Sequence, residues 1–281
     1  MAAGADQVAA SMPARPKTQR RSDGRLGRSG YLALACLSPV LVLLIWTMAS
    51  VQGLVTPTIL PSPAAVLASL ADMAERGYSG IPLWTHIAAS LWRVGVAYAA
   101  GAVLGVAAGL WRGRSESADA LLLVPTEILR PIPPLGLIPL FILWFGIGEL
   151  SKILLIFLSV FLIAMVNAQA GARSVGLDAL RAAQSLGASR WQIFRFVVLP
   201  SALPQVMTGL RIAMSSALTI LVASELLGGD RGLGFLVLDA SSFFRTTYVF
   251  AGIVIIGAIG LLSDRAIAFA GRRIVHWEGK R

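Results

Sequence analysis

Charge is scarce in this chain. Only 14% of its 281 residues are Asp, Glu, Lys or Arg, where soluble domains carry about 25%. With 56% hydrophobic residues and a mean hydropathy of +0.76, the chain cannot be a soluble globular domain and reads as an integral membrane protein. Cysteine is nearly absent: Cys36 stands alone, so no intrachain disulfide forms and the redox compartment is unread. His86 and His276 lie far apart, and with one cysteine they do not compose a transition-metal site. They also leave no Ser-His-Asp or Cys-His set for nucleophilic catalysis. Lysine occurs at positions 17, 152 and 280, and only Lys280 follows a glycine. No G-x-x-x-x-G-K-[ST] phosphate loop exists, so the chain is not expected to hydrolyse ATP itself. Glu127, Glu225 and Asp264 are scattered rather than convergent, which argues against a membrane-embedded enzyme.

Long apolar runs fill the space that charge leaves. They cover 31–50, 86–110, 117–145, 150–169, 205–227 and 248–270. A helix of about 20 such residues crosses the hydrocarbon layer of a bilayer. The fold class is therefore all-α: a polytopic membrane protein with about six transmembrane helices. Residues 1–30 read as a disordered basic cytoplasmic tail and 31–281 as one transmembrane domain. A signal peptide is a rival for the tail, but the apolar run starts late for one. The net charge of +10 raises a nucleic-acid arm as a second rival. The positions of the charges decide against it. Six Lys or Arg lie in the N-terminal tail, two after the second run, four around 173–195 and four in the C-terminal tail. Only Arg76, Lys152, Arg231 and Arg245 fall in the other connectors. This asymmetry places both termini in the cytoplasm, with no nucleic-acid partner required. It also fits attraction to anionic lipid headgroups.

Smaller features punctuate the runs. In the connector 51–85, residues 64–76 form a short amphipathic helix. GLGFLVLDASSFF, in the connector 228–247, reads as a short helix that dips back. Gly101, Gly105 and Gly109 recur every four residues, the spacing that lets two membrane helices approach closely. The run 117–145 is broken by Pro125, Pro131, Pro133, Pro134 and Pro139. Prolines free backbone carbonyls, which in a membrane must be buried in protein or face water. Glu127 and Arg130 lie three apart and can pair on one face. Two readings fit them: a pathway lining, or the headgroup region at the end of the span. Arg211 and Glu225, near the two ends of the fifth run, are the other candidate pathway residues, with headgroup or helix–helix anchoring as the alternative.

Between the fourth and fifth runs lies a polar, basic stretch, residues 178–204. Asp178 is placed to N-cap a short helix, and Gly187 to end it. Ser189 and Gln192 fit a capping box for a second helix. That helix sets Trp191, Phe194 and Val198 on one face. Leu199-Pro200 is expected to stop it. The product is two short rigid helices outside the bilayer. On local physics alone it is equally an ordinary loop between membrane helices.

The spacing here resembles the EAA loop of ATP-binding-cassette importer permeases: E-A-A, three residues, G, nine residues, I, one residue, L-P. Ala182-Ala183, Gly187 and Leu199-Pro200 match it. Arg181 replaces the Glu and Val197 the Ile. In that family the loop is the coupling helix, so the resemblance assigns ATPase coupling to Arg181, Ala182, Ala183, Gly187, Ala188, Trp191, Leu199 and Pro200. It extends over about residues 55–275. LPSPAAVLASL (60–70), LRPIPPLGLIPLFILWFGIGELSKI (129–153) and ASELLGGDRGLGFLVLDA (223–240) resemble the aliphatic sulfonate, taurine and nitrate branch. The resemblance implies a type I ABC importer permease fold in the inner membrane of a bacterium. It implies a second permease subunit as a homodimer, cytoplasmic ATPase subunits that use ATP and Mg, and an extracytoplasmic solute-binding protein. No cofactor is implied for this chain. The alternative is an ion-gradient-driven secondary transporter, which would carry inverted repeats and midplane ionisable groups. Neither is evident.

Overall fold

The computed structural model describes residues 28–226 and 229–277. The basic tail proposed for residues 1–30 lies almost wholly outside them, as does the end of the C-terminal tail. The chain divides into two compact units, 1–49 and 50–281. The first contributes most of α1 (Arg28–Val51), whose Leu32–Val51 stretch is long and apolar enough to cross a membrane.

The second unit holds the remaining helices. Ser62 caps α2 (Pro63–Arg76), its Oγ accepting from the Ala65 N–H at 3.2 Å, with Pro63 in the first turn where no N–H is needed. Then come α3 (Leu83–Arg114), α4 (Glu116–Leu129), α5 (Ile138–Phe145) and α6 (Glu149–Arg173). Two short helices follow, α7 (Leu177–Ser185) and α8 (Arg190–Ile193). The chain ends with α9 (Leu199–Leu226), α10 (Leu233–Ser242) and α11 (Thr246–Ile274). Residues 64–76 and the GLGFLVLDASSFF stretch are thus helical where the pattern placed helices.

Among the described residues, five helices are long and apolar enough to span a membrane. A sixth span exists if α4 and α5 are one broken helix, bent by 84°. Pro131, Pro133 and Pro134 cause the break. Proline offers no N–H and disfavours helix for the residue before it, so α4 stops and a 3₁₀ turn, Pro134–Leu137, leads into α5.

The centre of the unit is α6, packed between α3 and α9. Small residues set the α3–α6 distance. A Cβ added at Gly101 would stand 2.9 Å from Val160 Cβ, and one at Gly105 would stand 2.6 Å from the Phe161 carbonyl oxygen. The glycine row is therefore a packing face, as its spacing implied. Val94 and Ala97 of α3, Ile156 and Val160 of α6, and Ala213 and Ala217 of α9 form one core cluster. A second cluster joins Leu110, Ala168, Ala172 and Ala202 to Leu180 of α7 and Ile193 of α8. This second cluster fixes the short helices to the bundle.

Candidate functional site

The α7–α8 segment is built by local capping. The cap position of α7 is Gly176, and Asp178 lies inside the first turn without a side-chain cap bond. The expected Asp178 cap is thus displaced by two residues. Its carboxylate remains near the positive end of the helix dipole. At the other end Gly187 takes φ +77°. Its N–H donates to Gln184 O at 2.9 Å, and the Ala188 N–H to Ala183 O at 3.1 Å. These two bonds compose a Schellman motif, which needs a left-handed residue. Ser189 and Gln192 form the expected capping box: the Ser189 N–H donates to Gln192 Oε1 at 2.7 Å, and the Gln192 N–H to Ser189 Oγ at 3.3 Å.

Leu199-Pro200 does not stop the helix. A π turn, Phe194–Val198, opens between α8 and α9, and the Leu199 N–H donates to Phe194 O. Pro200 then falls in the first turn of α9, so the missing N–H does not break the chain's course. The extra residue also rotates the face. Trp191 and Phe194 stack with ring centroids 5.7 Å apart, but Val198 turns inward and is buried while Trp191 is 67% exposed. The result is a ledge: Leu180, Ile193 and Val198 hold it from beneath, and Leu177, Leu186, Trp191 and Phe196 stand open on it. Arg181, Ala182 and Arg190 are exposed, while Ala183 and Ala188 are half-buried. Close by, Asp119 of α4 accepts from Arg112 Nε and pairs with Arg173, both at 2.7 Å, and accepts from Gln169 Nε2 at 3.0 Å. Three helices are thereby tied at this end.

The opposite end holds a buried ionic network. Arg93 of α3 is 1% exposed. Its Nε and Nη2 each reach a Glu149 oxygen at 2.6 Å, a bidentate pair across to α6. Its Nη1 donates to Glu225 Oε1 at 2.5 Å and to the Arg231 carbonyl at 3.0 Å. Glu225 also accepts from Ser90 Oγ at 2.8 Å and from the Gly234 N–H at 2.8 Å. Ser90 Oγ accepts from the Leu233 N–H at 2.9 Å. His86 places Nδ1 within 3.2 Å of the Gly232 N–H, and its ring stacks on Phe235. Its Nε2 is buried without a hydrogen-bond partner. Beside it Tyr78 donates to Asp239 at 2.8 Å. Burial, with that bond, pushes the tyrosine hydroxyl well above its ordinary pKa. Sequence reasoning named Glu225 but missed Arg93 and its pairing with Glu149. The available signal was His86, Ser90 and Arg93 at i, i+4 and i+7, a polar stripe on an apolar helix.

The four candidate pathway residues are not brought together. Glu225 is committed to the buried network. Arg211 makes a bidentate pair with Asp264 of α11, at 2.9 Å for each bond. Glu127 and Arg130 are both exposed, and among the described residues no ion pair joins them. Arg130 lines a cavity of about 330 Å³ with Ser159, Asn167 and Ser216. Among the described residues, no group of three or more His, Cys, Asp or Glu is arranged to hold a metal ion.

Comparison with known proteins places this geometry. Residues 101–276 match the family described as the binding-protein-dependent transport system inner membrane component. The taurine transport system permease protein TauC of Escherichia coli strain K12 is 43% identical over 256 residues, covering 91% of this chain and 92% of that protein. An aliphatic sulfonates transport permease protein, SsuC of Bacillus subtilis, is 34% identical over 93% of this chain and 94% of its own length. The nitrate import permease protein NrtB of Synechocystis sp. is 34% identical over 79% and 82%. In shape the chain is similar to a permease chain of the inward-facing methionine ABC transporter MetNI, with a TM-score of 0.55 and 23% identity, covering 69% of this chain and 96% of that one. That likeness shows a type I ABC importer permease fold. The chain therefore belongs to the family of binding-protein-dependent transport system inner membrane components, and is a multi-pass transport permease rather than an enzyme.

Proposed function

We propose that this chain is the permease subunit of an ATP-driven importer for taurine or a closely related small sulfonate, working as a homodimer in a bacterial inner membrane. The 43% identity to TauC over 91% of the chain supports the substrate class. The ledge supports the coupling role. It presents Leu186 and Trp191 to the surroundings, 88% and 67% exposed, on a segment fixed from below. An exposed apolar patch of this kind marks an interface. Arg181, Ala182, Ala183, Gly187, Ala188, Trp191, Leu199 and Pro200 would form or frame the surface that an ATPase subunit grips. The excess of lysine and arginine in the tails and around the ledge supports a cytoplasmic position for the ledge and both termini. The α10 end then faces the solute-binding protein. ATP and Mg are used by the partner ATPase, and the permease moves because that partner has different affinities for its two states.

Purification of the tagged chain from its host membranes, followed by reconstitution in proteoliposomes, tests this reading. An ATPase subunit should co-purify, and ATP should drive taurine uptake when the binding protein is added. A chain that purifies alone and accumulates solute on an ion gradient would instead establish the secondary-transporter alternative.

A further inference from the structure

We infer that the groove beside the α4–α5 break is a transient binding site for the sulfonate headgroup of the transported solute, with Arg130 as its cationic contact. The inference rests on the sulfonate reading above and adds the residues that would touch the solute within the permease.

Arg130 differs from four of the arginines at the spans. Arg93, Arg112, Arg173 and Arg211 all sit in ion pairs. Arg130 has neither an ion pair nor a side-chain hydrogen bond among the described residues. It stands where Pro131 ends α4, so the break delivers a guanidinium to the rim of the groove. The groove's volume, about 330 Å³, lies at the small end of ligand pockets, which run from about 300 to 1,000 Å³.

The walls supply donors and lack carboxylates. Ser159 Oγ and Ser216 Oγ stand 2.8 Å apart. One hydroxyl donates to the other, which leaves one hydroxyl hydrogen to offer. Asn167 Nδ2 gives one hydrogen to the Ile163 carbonyl at 2.9 Å, and its Oδ1 is taken by Gln205 Nε2 at 3.1 Å. The second Nδ2 hydrogen remains, and the Gln205 bond fixes which way the amide points. Arg130, the Ser159–Ser216 hydroxyl pair and Asn167 line one space that has no acidic lining. That set suits a weakly hydrated anion with three oxygens. The remaining wall, Ile163, Val166 and Ile212 among others, is apolar and offers an ammonium nothing. The site therefore reads the sulfonate end and is indifferent to the tail. Its contacts are few and Arg130 is exposed, so the anion is held loosely enough to leave, as a pathway requires.

The test is uptake of taurine and of butanesulfonate by proteoliposomes holding the permease, its ATPase and the binding protein, with ATP hydrolysis followed in parallel. Arg130→Gln should lower uptake of both sulfonates by the same factor, about tenfold or more, as expected for loss of a charge-assisted bond. ATP hydrolysis stimulated by the unliganded binding protein should stay unchanged. Arg130→Lys should recover part of the uptake. Ser159→Ala with Ser216→Ala should give a smaller loss in the same ratio. Uptake by Arg130→Gln at the wild-type rate overturns the inference alone. So does a parallel loss of uptake and ATP hydrolysis that lysine does not rescue, since that marks a structural role. A wild-type protein that carries neither sulfonate overturns the substrate reading and the inference with it.

Discussion

Removing the Arg93 cation should be the most damaging single change at the α10 end. Glu225 is fully buried, and Glu149 is 46% exposed. Arg93→Met leaves the Glu225 carboxylate buried with only Ser90 and Gly234 as donors. Breaking a buried pair by deleting one partner costs about 3–5 kcal/mol. Glu149→Gln removes a half-exposed partner instead and leaves Arg93 paired with Glu225, so its cost should lie near the about 0–1 kcal/mol of exposed pairs. One kcal/mol moves the midpoint of a domain of this size by about 2–4 °C. Thermal unfolding in detergent should therefore fall by about 6–20 °C for Arg93→Met and by no more than about 4 °C for Glu149→Gln. The double variant Arg93→Met with Glu225→Gln discards both charges and keeps an acceptor for Ser90 and Gly234. It should regain more than half of the loss, because a buried amide that keeps hydrogen bonds carries a far smaller desolvation penalty than a buried, unpaired carboxylate. Equal losses for Arg93→Met and Glu149→Gln, or a double variant that is worse than Arg93→Met, would refute the assignment of the stress to the buried carboxylate.

Three further outcomes follow from the other sites. Gly187→Glu should abolish ATP-driven uptake while membrane content stays normal. The space around Gly187 is open, so the penalty is the left-handed backbone, about 1–2 kcal/mol, together with a charge on the ledge; Gly187→Asn, which tolerates that backbone, should keep most activity, as uptake and membrane blots will show. Arg181→Glu should be tolerated, since Arg181 is exposed and makes no ion pair among the described residues; a large loss of ATPase co-purification would show that the partner surface depends on the arginine. Gly105→Leu should prevent assembly, because even a methyl group there meets the Phe161 carbonyl; overpacking of this kind costs about 1–3 kcal/mol, and size-exclusion chromatography should show aggregate rather than a monodisperse peak.

Local rules read well from this sequence at most places where the partners lie within a few residues, the Asp178 cap being an exception. Gly187, the Ser189–Gln192 box and the Gly101–Gly105–Gly109 row all behave as their spacing dictates, because each depends on one turn or one face of a helix. Pro200 misled for a reason that is also local: a π turn of five residues moves proline into a first turn, and nothing in composition announces that turn. The Arg93 network was illegible for a different reason. Its bonds join residues 56 and 132 positions apart, and periodicity identifies a polar stripe without naming what it meets. The prolines of the third span foretold a break but not its 84° angle, which no local spacing encodes. For the same reason the sequence could propose Glu127, Arg130, Arg211 and Glu225 together, although folding gives each a different neighbourhood.

Because the π turn lets the chain pass Pro200, residues Arg190 to Leu226 form one uninterrupted rod of 37 residues, about 55 Å long at 1.5 Å per residue. Trp191 stands at one tip and Glu225 at the other. A helix is stiff along its axis, so torque from the proposed ATPase contact at the Trp191 tip would find no flexible loop in which to dissipate. The nearest compliant element is the π turn itself, which begins three residues from Trp191. Any rotation that passes this turn must either carry Glu225 round with it or shear it from Arg93. The length of the rod thus links the wear on its two ends: a substitution that softens the π turn would spare the ionic clasp, and one that stiffens it would strain that clasp from across the whole thickness of the membrane.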